Sequence, residues 1–203
     1  MLRFLPGPIK GALSLVLISL NTLFWVVPIF GFALLKLAPI AVLRRFTTRV
    51  LNACATAWIS VNNAIHAQTK RIHWQVEGLD ELKLDDWYLV LSNHQSWADI
   101  FVLQKIFNRR IPFLKFFLKQ ELIRVPVIGL AWWALDFPFM KRHSKDYLKK
   151  HPEMKGKDAE TTRQACEKFR HIPISVMNFV EGTRFTAEKH RKQSSPFTHL
   201  LKP

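Results

Sequence analysis

The length, composition and charge of the chain limit the classes of protein to which it can belong. Its 203 residues give room for one domain and an appendage, and a hydrophobic content of 49% is ample for a buried core. Cys54 and Cys166 lie far apart in different contexts, which argues against a disulfide framework. The formal net charge of +15 favours anionic partners, namely nucleic acid, anionic lipid or a phosphorylated substrate.

The N-terminal segment is long and apolar. Residues 11–35 contain no charged side chain, and such a length can cross a hydrocarbon core of about 30 Å. The apolar stretch continues past Pro28 and Gly31 to Val42, which argues against a cleaved signal peptide. Cations flank the segment on both sides, so the positive-inside rule does not predict how the segment is oriented in a membrane. Because proline and glycine break helices, we predict a hydrophobic helical hairpin over residues 1–45, with both ends in the cytoplasm, in preference to a single span.

The next part of the chain, residues 46–84, changes from a helical to a strand-like pattern. Apolar residues recur at helical intervals over 50–61 and predict a helix that continues from the anchor. The alternating apolar residues Ile72, Trp74 and Val76 then predict a short strand. We therefore interpret this part as a connecting helix and strand.

Residues 85–203 have the pattern of an α/β domain. A fully apolar run over 87–91 predicts a buried strand. Further strands are predicted in 109–117, 134–142 and 172–182, and helices in 118–124 and 158–171. This alternation of strands and helices is typical of a mainly parallel sheet flanked by helices.

A short polar motif, NHQSWAD, follows the first predicted strand, at a place where functional groups collect in such sheets. We expect His94 on the turn and Asp99 in the first turns of the next helix. An acid there can accept a hydrogen bond from one ring nitrogen and leave the other as a base. The alternative is structural, with His94 as a helix cap and Asp99 in solvent. Ser96 is interpreted as a capping or turn hydroxyl.

A second motif, EGTR, follows the strand predicted in 172–182. Gly182 lets the backbone turn, and Arg184 offers a planar fork suited to a phosphate group. Glu181 beside an arginine would ordinarily form a surface ion pair of little energetic weight. Two motifs at strand ends in the expected order favour a functional site over this structural alternative.

The motifs together resemble the signatures of the glycerolipid acyltransferases typified by the 1-acyl-glycerol-3-phosphate acyltransferases. NHQSWAD fits their NHxxxxD signature and EGTR fits their second signature. Between them, LKQELIRVPVIG is similar to a Lys-x-Glu-Leu…Pro…Gly stretch of the family. DFPFMKR occupies the place of an arginine-ending motif, with Asp136 where the family has glycine. The resemblance covers residues 85–203.

The resemblance implies transfer of a fatty acyl group from a thioester, acyl-CoA or acyl carrier protein, to the free hydroxyl of a lysophospholipid. The acceptor it favours is 1-acyl-glycerol-3-phosphate, which would give phosphatidic acid. It implies that His94 is the general base and that Asp99 orients and polarises it. The phosphate-binding residues it implies are Glu181, Gly182, Thr183, Arg184 and Arg142, with Asn93 and Lys119 in support. No metal and no redox cofactor are expected.

Two alternative functions stay open. One is acyl transfer to another lysophospholipid, such as lysophosphatidylglycerol or lysocardiolipin. The other belongs to a different class, a non-catalytic basic membrane adaptor or nucleic-acid binder, which explains the charge but neither motif.

The expected location is a membrane of the bacterial inner-membrane type, with the catalytic domain on the cytoplasmic side. Anionic lipid is an expected partner, and nucleic acid is not. The family has a further apolar, proline-containing strand after EGTR, whereas this sequence stops at SSPFTHLLKP. We therefore expect a fragment whose acyltransferase domain is incomplete at its C-terminus, with sheet edges and part of the substrate pocket missing.

Overall fold

Two long helices and a small parallel sheet dominate the described part of the chain. The computed structural model describes residues 5–69, 72–140, 145–151, 157–167, 169–170 and 172–192. The helices are α1 (Gly7–Lys36), α2 (Ala41–Thr69), α3 (Ala98–Phe107), α4 (Ile128–Ala134), α5 (Lys145–Lys150), α6 (Lys157–Glu167) and α7 (Ala187–Lys192), with a 3₁₀ helix at Gln120–Arg124. The strands are β1 (Tyr88–Ser92), β2 (Leu114–Phe116), β3 (Leu118–Lys119), β4 (Phe139–Met140) and β5 (Ser175–Phe179).

Helix α1 continues through Pro28, so the predicted break at this residue does not occur. Proline removes one backbone hydrogen bond inside a helix. The neighbouring side chains Ile29 and Ala33 are buried in the core, and their packing holds the helix together across this position. The chain turns at residues 37–40 instead, and α2 is the second arm of the hairpin.

Polar side chains join the two arms of the hairpin near the middle of α1. The Asn21 amide donates to the Trp58 carbonyl at 3.0 Å and to Asn62 Oδ1 at 2.9 Å. The Trp58 indole N–H donates to Thr22 Oγ1 at 3.1 Å. Hydrogen bonds in an apolar interface are costly to break, because the freed groups find no water. They therefore fix how α1 and α2 align.

The central sheet confirms the prediction of an α/β fold with a parallel sheet. In the described part of the chain its strand order is β1–β5–β2, and both pairings are parallel. Ser92 at the end of β1 is paired with Phe179 at the end of β5. The carboxyl ends of these strands therefore coincide, and the segments that follow them are neighbours. Strands β3 and β4 form a second, parallel pair.

The hairpin and the sheet share one hydrophobic core. Ile29 of α1 and Leu51 of α2 belong to the same buried cluster as Phe116 of β2 and Met177 of β5. Burial of such side chains contributes about 1.5–3 kcal/mol each. The hairpin is thus packed against the α/β domain.

Three local predictions differ from the structure. Residues 72–77 form no regular element, and their alternating apolar side chains are exposed, because an alternating strand needs a neighbour that buries one face. The segment 118–124 is β3 followed by the 3₁₀ helix rather than one helix. The β1 side chains Leu89 and Leu91 are exposed, although the sequence predicts a buried strand.

Candidate active site

His94 and Glu181 lie side by side because they follow two adjacent parallel strands. Ser92 of β1 is paired with Phe179 of β5, and His94 and Glu181 each follow these positions by two residues. The His94 backbone N–H donates to Glu181 Oε2 at 2.7 Å. The Phe185 N–H donates to the His94 carbonyl at 2.7 Å. The two sequence motifs are therefore joined through the backbone of the histidine.

Asp99 reaches back from the first turn of α3 to the imidazole, as the sequence predicts. Its Oδ2 lies 2.9 Å from His94 Nδ1 and also accepts the N–H groups of Gln95 at 2.7 Å and Ser96 at 2.8 Å. The Ser96 hydroxyl accepts the Ala98 N–H at 2.9 Å and so acts as the predicted turn hydroxyl. Because an ionised carboxylate only accepts, Nδ1 carries the proton, and Nε2 of the neutral ring is free of one.

The environment of Asp99 favours its ionised form. Partial burial alone would raise the pKa of this carboxyl group. The hydrogen bonds from the Ser96 amide, the His94 ring and the Gln95 amide outweigh burial, and they hold the pKa of Asp99 below its ordinary value of 3.8. A negative charge therefore faces the imidazole at neutral pH, where it stabilises a developing imidazolium.

Aromatic packing fixes the plane of the histidine ring. His94 stacks on Phe179 with 4.0 Å between ring centroids and 17° between planes. Phe116 lies behind Phe179, at 6.2 Å between centroids. Stacking and the bond to Asp99 together restrict the ring in both orientation and tautomer. The sequence motif contains neither phenylalanine, so motif reasoning misses both.

The EGTR segment forms a turn beside the histidine. Gly182 has a φ of 64°, a conformation that favours glycine, and its N–H donates to the Phe179 carbonyl at 2.9 Å. Glu181 and Arg184, both in the described part of the chain, do not form an ion pair with each other, because the Glu181 carboxylate accepts the His94 N–H. The Arg184 guanidinium instead lies over the Trp97 ring, 5.3 Å from its centroid.

A lysine that the motifs do not include adds positive charge to this turn. Lys189 Nζ of α7 donates to Thr183 Oγ1 at 2.6 Å and to the Arg184 carbonyl at 3.2 Å. Sequence reasoning missed Lys189. Its place five residues after an arginine in a predicted anion-binding segment is a signal that could have identified it.

A mainly apolar cavity of about 640 Å³ lies beside the site. His94 and Gly182 are in its lining, and so are Ile18 and Ile29 of α1 and Trp58 of α2. The remaining wall comes from α3, α4 and the strands. The cavity thus connects the candidate catalytic histidine with the helical hairpin.

The other predicted site residues lie as follows. Lys119 lines the cavity, and Asn93 is exposed beside the histidine. Asp136, which stands where the family has glycine, has a φ of 58° and forms an ion pair with Lys36 of α1. Arg142 lies outside the described residues, as does the final segment 193–203. In the described ranges, no three His, Cys, Asp or Glu side chains group closely enough to hold a metal ion.

Comparison with known proteins bears on the family. Residues 73–201, more than half of the chain, match the model of the Acyltransferase family. Over 106 residues the chain is 32% identical to 1-acyl-sn-glycerol-3-phosphate acyltransferase 3 of Arabidopsis thaliana. This match covers 50% of this chain and 25% of that protein. Over 75 residues the chain is 32% identical to 1-acyl-sn-glycerol-3-phosphate acyltransferase gamma of Homo sapiens. This match covers 36% of this chain and 17% of that protein.

The matches therefore span a quarter or less of the length of these relatives. No solved structure matches the chain significantly. The family model covers both strand-end motifs and the sheet that carries them. The chain belongs to the Acyltransferase family.

Proposed function

We propose that the protein moves a fatty acyl group from a thioester to the free hydroxyl of a lysophospholipid, with 1-acyl-glycerol-3-phosphate as the foremost acceptor. The observation that carries this proposal is the contact of 2.9 Å between His94 Nδ1 and Asp99 Oδ2, because His94 also lines a mainly apolar cavity. Both relatives described above are named 1-acyl-sn-glycerol-3-phosphate acyltransferases, and this likeness supports the proposed acceptor.

The proposed chemistry follows from the protonation state of the imidazole. His94 Nε2 takes the proton of the acceptor hydroxyl as its oxygen attacks the thioester carbonyl. The carbon–oxygen bond forms, the carbon–sulfur bond breaks, and the thiolate takes the proton from the imidazolium. Asp99 holds Nδ1 and stabilises the imidazolium between these steps. A positioned base of this kind contributes about 10²- to 10⁴-fold to the rate.

The acceptor phosphate is proposed to bind at the EGTR turn. Arg184 offers a planar pair of donors, and Lys189 adds charge next to Thr183. Glu181 is an anion and would repel a phosphate, so we assign it a positioning role through its bond to the His94 amide. The catalytic turn and the phosphate-binding turn would then keep a constant separation.

An acyl chain is proposed to occupy the cavity. Its lining is mainly apolar and includes Trp25 and Phe113 beside residues of the sheet. Removal of a fatty acyl chain from water into such a site is favourable in proportion to the apolar area buried. The thioester head then lies near His94, where acyl-CoA and an acyl carrier protein are the two donors to compare.

Membrane association is proposed through α1. By length and composition this helix could cross a bilayer. One side of it, however, packs on α2 and lines the cavity at Ile18 and Ile29, whereas Leu23 and Val27 on the other side are exposed. We therefore place α1 in one leaflet, with its exposed stripe in lipid and the α/β domain on the cytoplasmic face.

The test compares His94→Ala and Asp99→Ala with the wild-type chain in an assay with lysophosphatidic acid and acyl-CoA. Each change should lower kcat/KM by at least about 100-fold. His73→Ala is the matched control, because His73 is an exposed histidine outside the site. Undiminished turnover in either site variant would contradict the proposal.

The acceptor is identified by a parallel panel. Lysophosphatidic acid, lysophosphatidylglycerol, lysocardiolipin and glycerol 3-phosphate are compared at equal concentration, each with acyl-CoA and with acyl carrier protein as donor. The proposed acceptor should give the highest kcat/KM. A higher kcat/KM for another lysophospholipid would leave the proposed reaction unchanged, but it would identify that lipid as the acceptor.

A further inference from the structure

The cavity beside the candidate active site has two ends, at opposite edges of the sheet. His94 follows β1 and marks the carboxyl edge of the sheet. Phe113 precedes β2 and therefore lies toward the amino edge, because the strands are parallel. Phe137 packs edge-to-face on Phe113, with 5.8 Å between the ring centroids. All three residues line the cavity, so it reaches from the histidine to this aromatic pair.

Lys36, the last residue of α1, binds the chain directly before Phe137. Its Nζ forms an ion pair with Asp136 and donates to the Ala134 carbonyl at 3.1 Å. Asp136 lies between Leu135 and Phe137 in the sequence, and both of these neighbours line the cavity. We call Lys36 and Asp136 the α1–α4 clasp. The clasp is thus attached to the cavity wall at the end formed by the aromatic pair.

The clasp lies on the same side of α1 as the residues that line the cavity. Ile29 is one of these residues and is buried. Lys36 follows it by seven residues, or about two helical turns, and so lies on the same side of the helix. Ala33, between them, is buried in one core with Ala134. Among the described elements of the α/β domain, α4 makes the most extensive contact with α1.

A second lysine holds the C-terminal end of α4 on the sheet. Lys115 of β2 is 2% exposed, and its Nζ donates to the Leu135 carbonyl at 2.5 Å. Cations near the last carbonyl groups of a helix are favourable. Because Lys115 ties this end of α4 to β2, loss of the Lys36 contacts would release α1 and leave α4 in place. The clasp therefore sets the distance between α1 and α4.

The clasp is largely shielded from water. The exposed fractions of the Lys36 and Asp136 side chains are 13% and 23%. Attraction between two charges is stronger where water is excluded, whereas exposed pairs contribute little. Glycine, which the family has at the position of Asp136, could not form this ion pair. The clasp is therefore a feature of this chain rather than of the family pattern.

We propose that the α1–α4 clasp limits the length of the acyl chain that the cavity accepts. An acyl chain with its thioester at His94 would extend toward Phe113 and Phe137. A chain too long for this distance would have to push α1 away from α4, against the clasp. This inference rests on the proposed function, because it takes the cavity as the acyl site.

The first test measures turnover of octanoyl-, lauroyl-, palmitoyl- and stearoyl-CoA with lysophosphatidic acid. Lys36→Met retains an unbranched side chain and removes the charge. It should raise the ratio of kcat/KM for stearoyl-CoA to that for lauroyl-CoA by at least about fivefold. Lys36→Arg, which keeps the charge, should restore the wild-type ratio. Lys10→Met is the matched control, because Lys10 is the other lysine of α1 and lies near its opposite end.

The same ratio separates a role in selectivity from general damage. A loss of folded protein lowers both kcat/KM values and leaves their ratio unchanged. Asp136→Asn should change the ratio as Lys36→Met does, and the double variant should change it no further, because both changes remove one interaction. If Lys36→Met does not fold, as judged by circular dichroism, Asp136→Asn provides the comparison with the wild type.

The second test measures binding without turnover. Lauric acid and stearic acid compete with the fluorescent fatty acid cis-parinaric acid for the full chain in detergent. Lys36→Met should shift the competition toward stearic acid, whereas Lys10→Met should compete like the wild type. If the wild type turns over no acyl-CoA but this shift occurs, the inference stands and the proposed reaction is wrong.

Three results would overturn the inference. One is an equal stearoyl-to-lauroyl ratio in the wild type, Lys36→Met and Lys10→Met. Another is failure of Lys36→Arg to restore the ratio, because the charge would then be irrelevant. The third is failure of both fatty acids to displace the probe from the wild type, which would also remove the cavity as the acyl site.

Discussion

The guanidinium of Arg184 lies over the indole of Trp97, with 5.3 Å between Cζ and the ring centroid. Trp97 belongs to the first motif and Arg184 to the second, so this contact links the side chains of the two. Trp97 is 70% exposed and also lines the cavity with His94. A cation over an indole is held by about 0.5–2 kcal/mol. This contact supports a positioning role of Trp97 for the arginine, which the following variants test.

Trp97→Leu should raise KM for the proposed lysophospholipid acceptor by about 3- to 10-fold, because Arg184 loses the ring on which it lies. The value of kcat should change less, and Trp97→Phe should restore most of the affinity. Steady-state kinetics against acceptor concentration measures both. Trp74→Leu serves as control, since Trp74 is an exposed tryptophan outside the site. An equal KM for the leucine and phenylalanine variants would contradict the positioning role.

The pKa of Asp99 predicts how the stability of the fold changes in acid. Because the pKa in the folded protein lies below the ordinary value of 3.8, the ionised carboxylate contributes stability that is fully present above that value. This contribution is lost as pH falls through the lower, folded pKa. Asp99→Asn cannot make this contribution at any pH.

The difference in Tm between the wild type and Asp99→Asn should therefore be constant above about pH 5 and narrow in more acid solution. Thermal unfolding followed by circular dichroism in detergent provides the measurement. Asp85→Asn is a suitable control, because Asp85 is exposed. A difference that widened on acidification would show that Asp99 is not stabilised as the ionised form.

Gly129→Ala should destabilise the protein by about 1–3 kcal/mol, as expected for overpacking. The added methyl group would lie 2.4 Å from the Ile123 carbonyl oxygen, so α4 must move away from the 3₁₀ helix. Gly31→Ala is the control, since nothing lies within 4 Å of its Cβ position. Chemical unfolding in detergent compares the two. Equal stability of both variants would mean that α4 is not tightly seated.

Asp136 has a left-handed backbone, with a φ of 58°, and an ion pair with Lys36. Asp136→Gly and Asp136→Ala both remove the carboxylate, so their difference isolates the backbone. Glycine adopts this conformation freely, and we expect it to be more stable than alanine by about 1 kcal/mol. The difference in free energy of unfolding measures it. Equal values would exclude backbone conformation as the reason for glycine at this position in the family.

The parts of the site that the sequence predicts depend on local information. His94 and Asp99 are five residues apart, and the turn between strand and helix is enough to bring them together. The parallel strands follow from apolar runs separated by helical segments. Their coincident carboxyl ends then place the two motifs at one edge.

The parts that the sequence does not predict depend on distant partners. Helix α1 survives Pro28 because its buried side holds it against α2 and the sheet. The hydrogen bond between Asn21 and Asn62 and the ion pair between Lys36 and Asp136 form only in the folded chain. The stacking of His94 on Phe179 likewise requires the pairing of β1 with β5. Periodicity carries no information about such contacts.

The position of α1 in the cavity wall decides how a water-soluble version could be designed. Trimming the chain back to the α/β domain would discard Ile18, Trp25 and Ile29 together with the helix. The part of the cavity that remained would be open to water. The apolar side chains of the sheet would then be exposed and would promote aggregation. Solubility is better sought by exchanging the exposed stripe at Leu23 and Val27 for polar residues, with the helix retained.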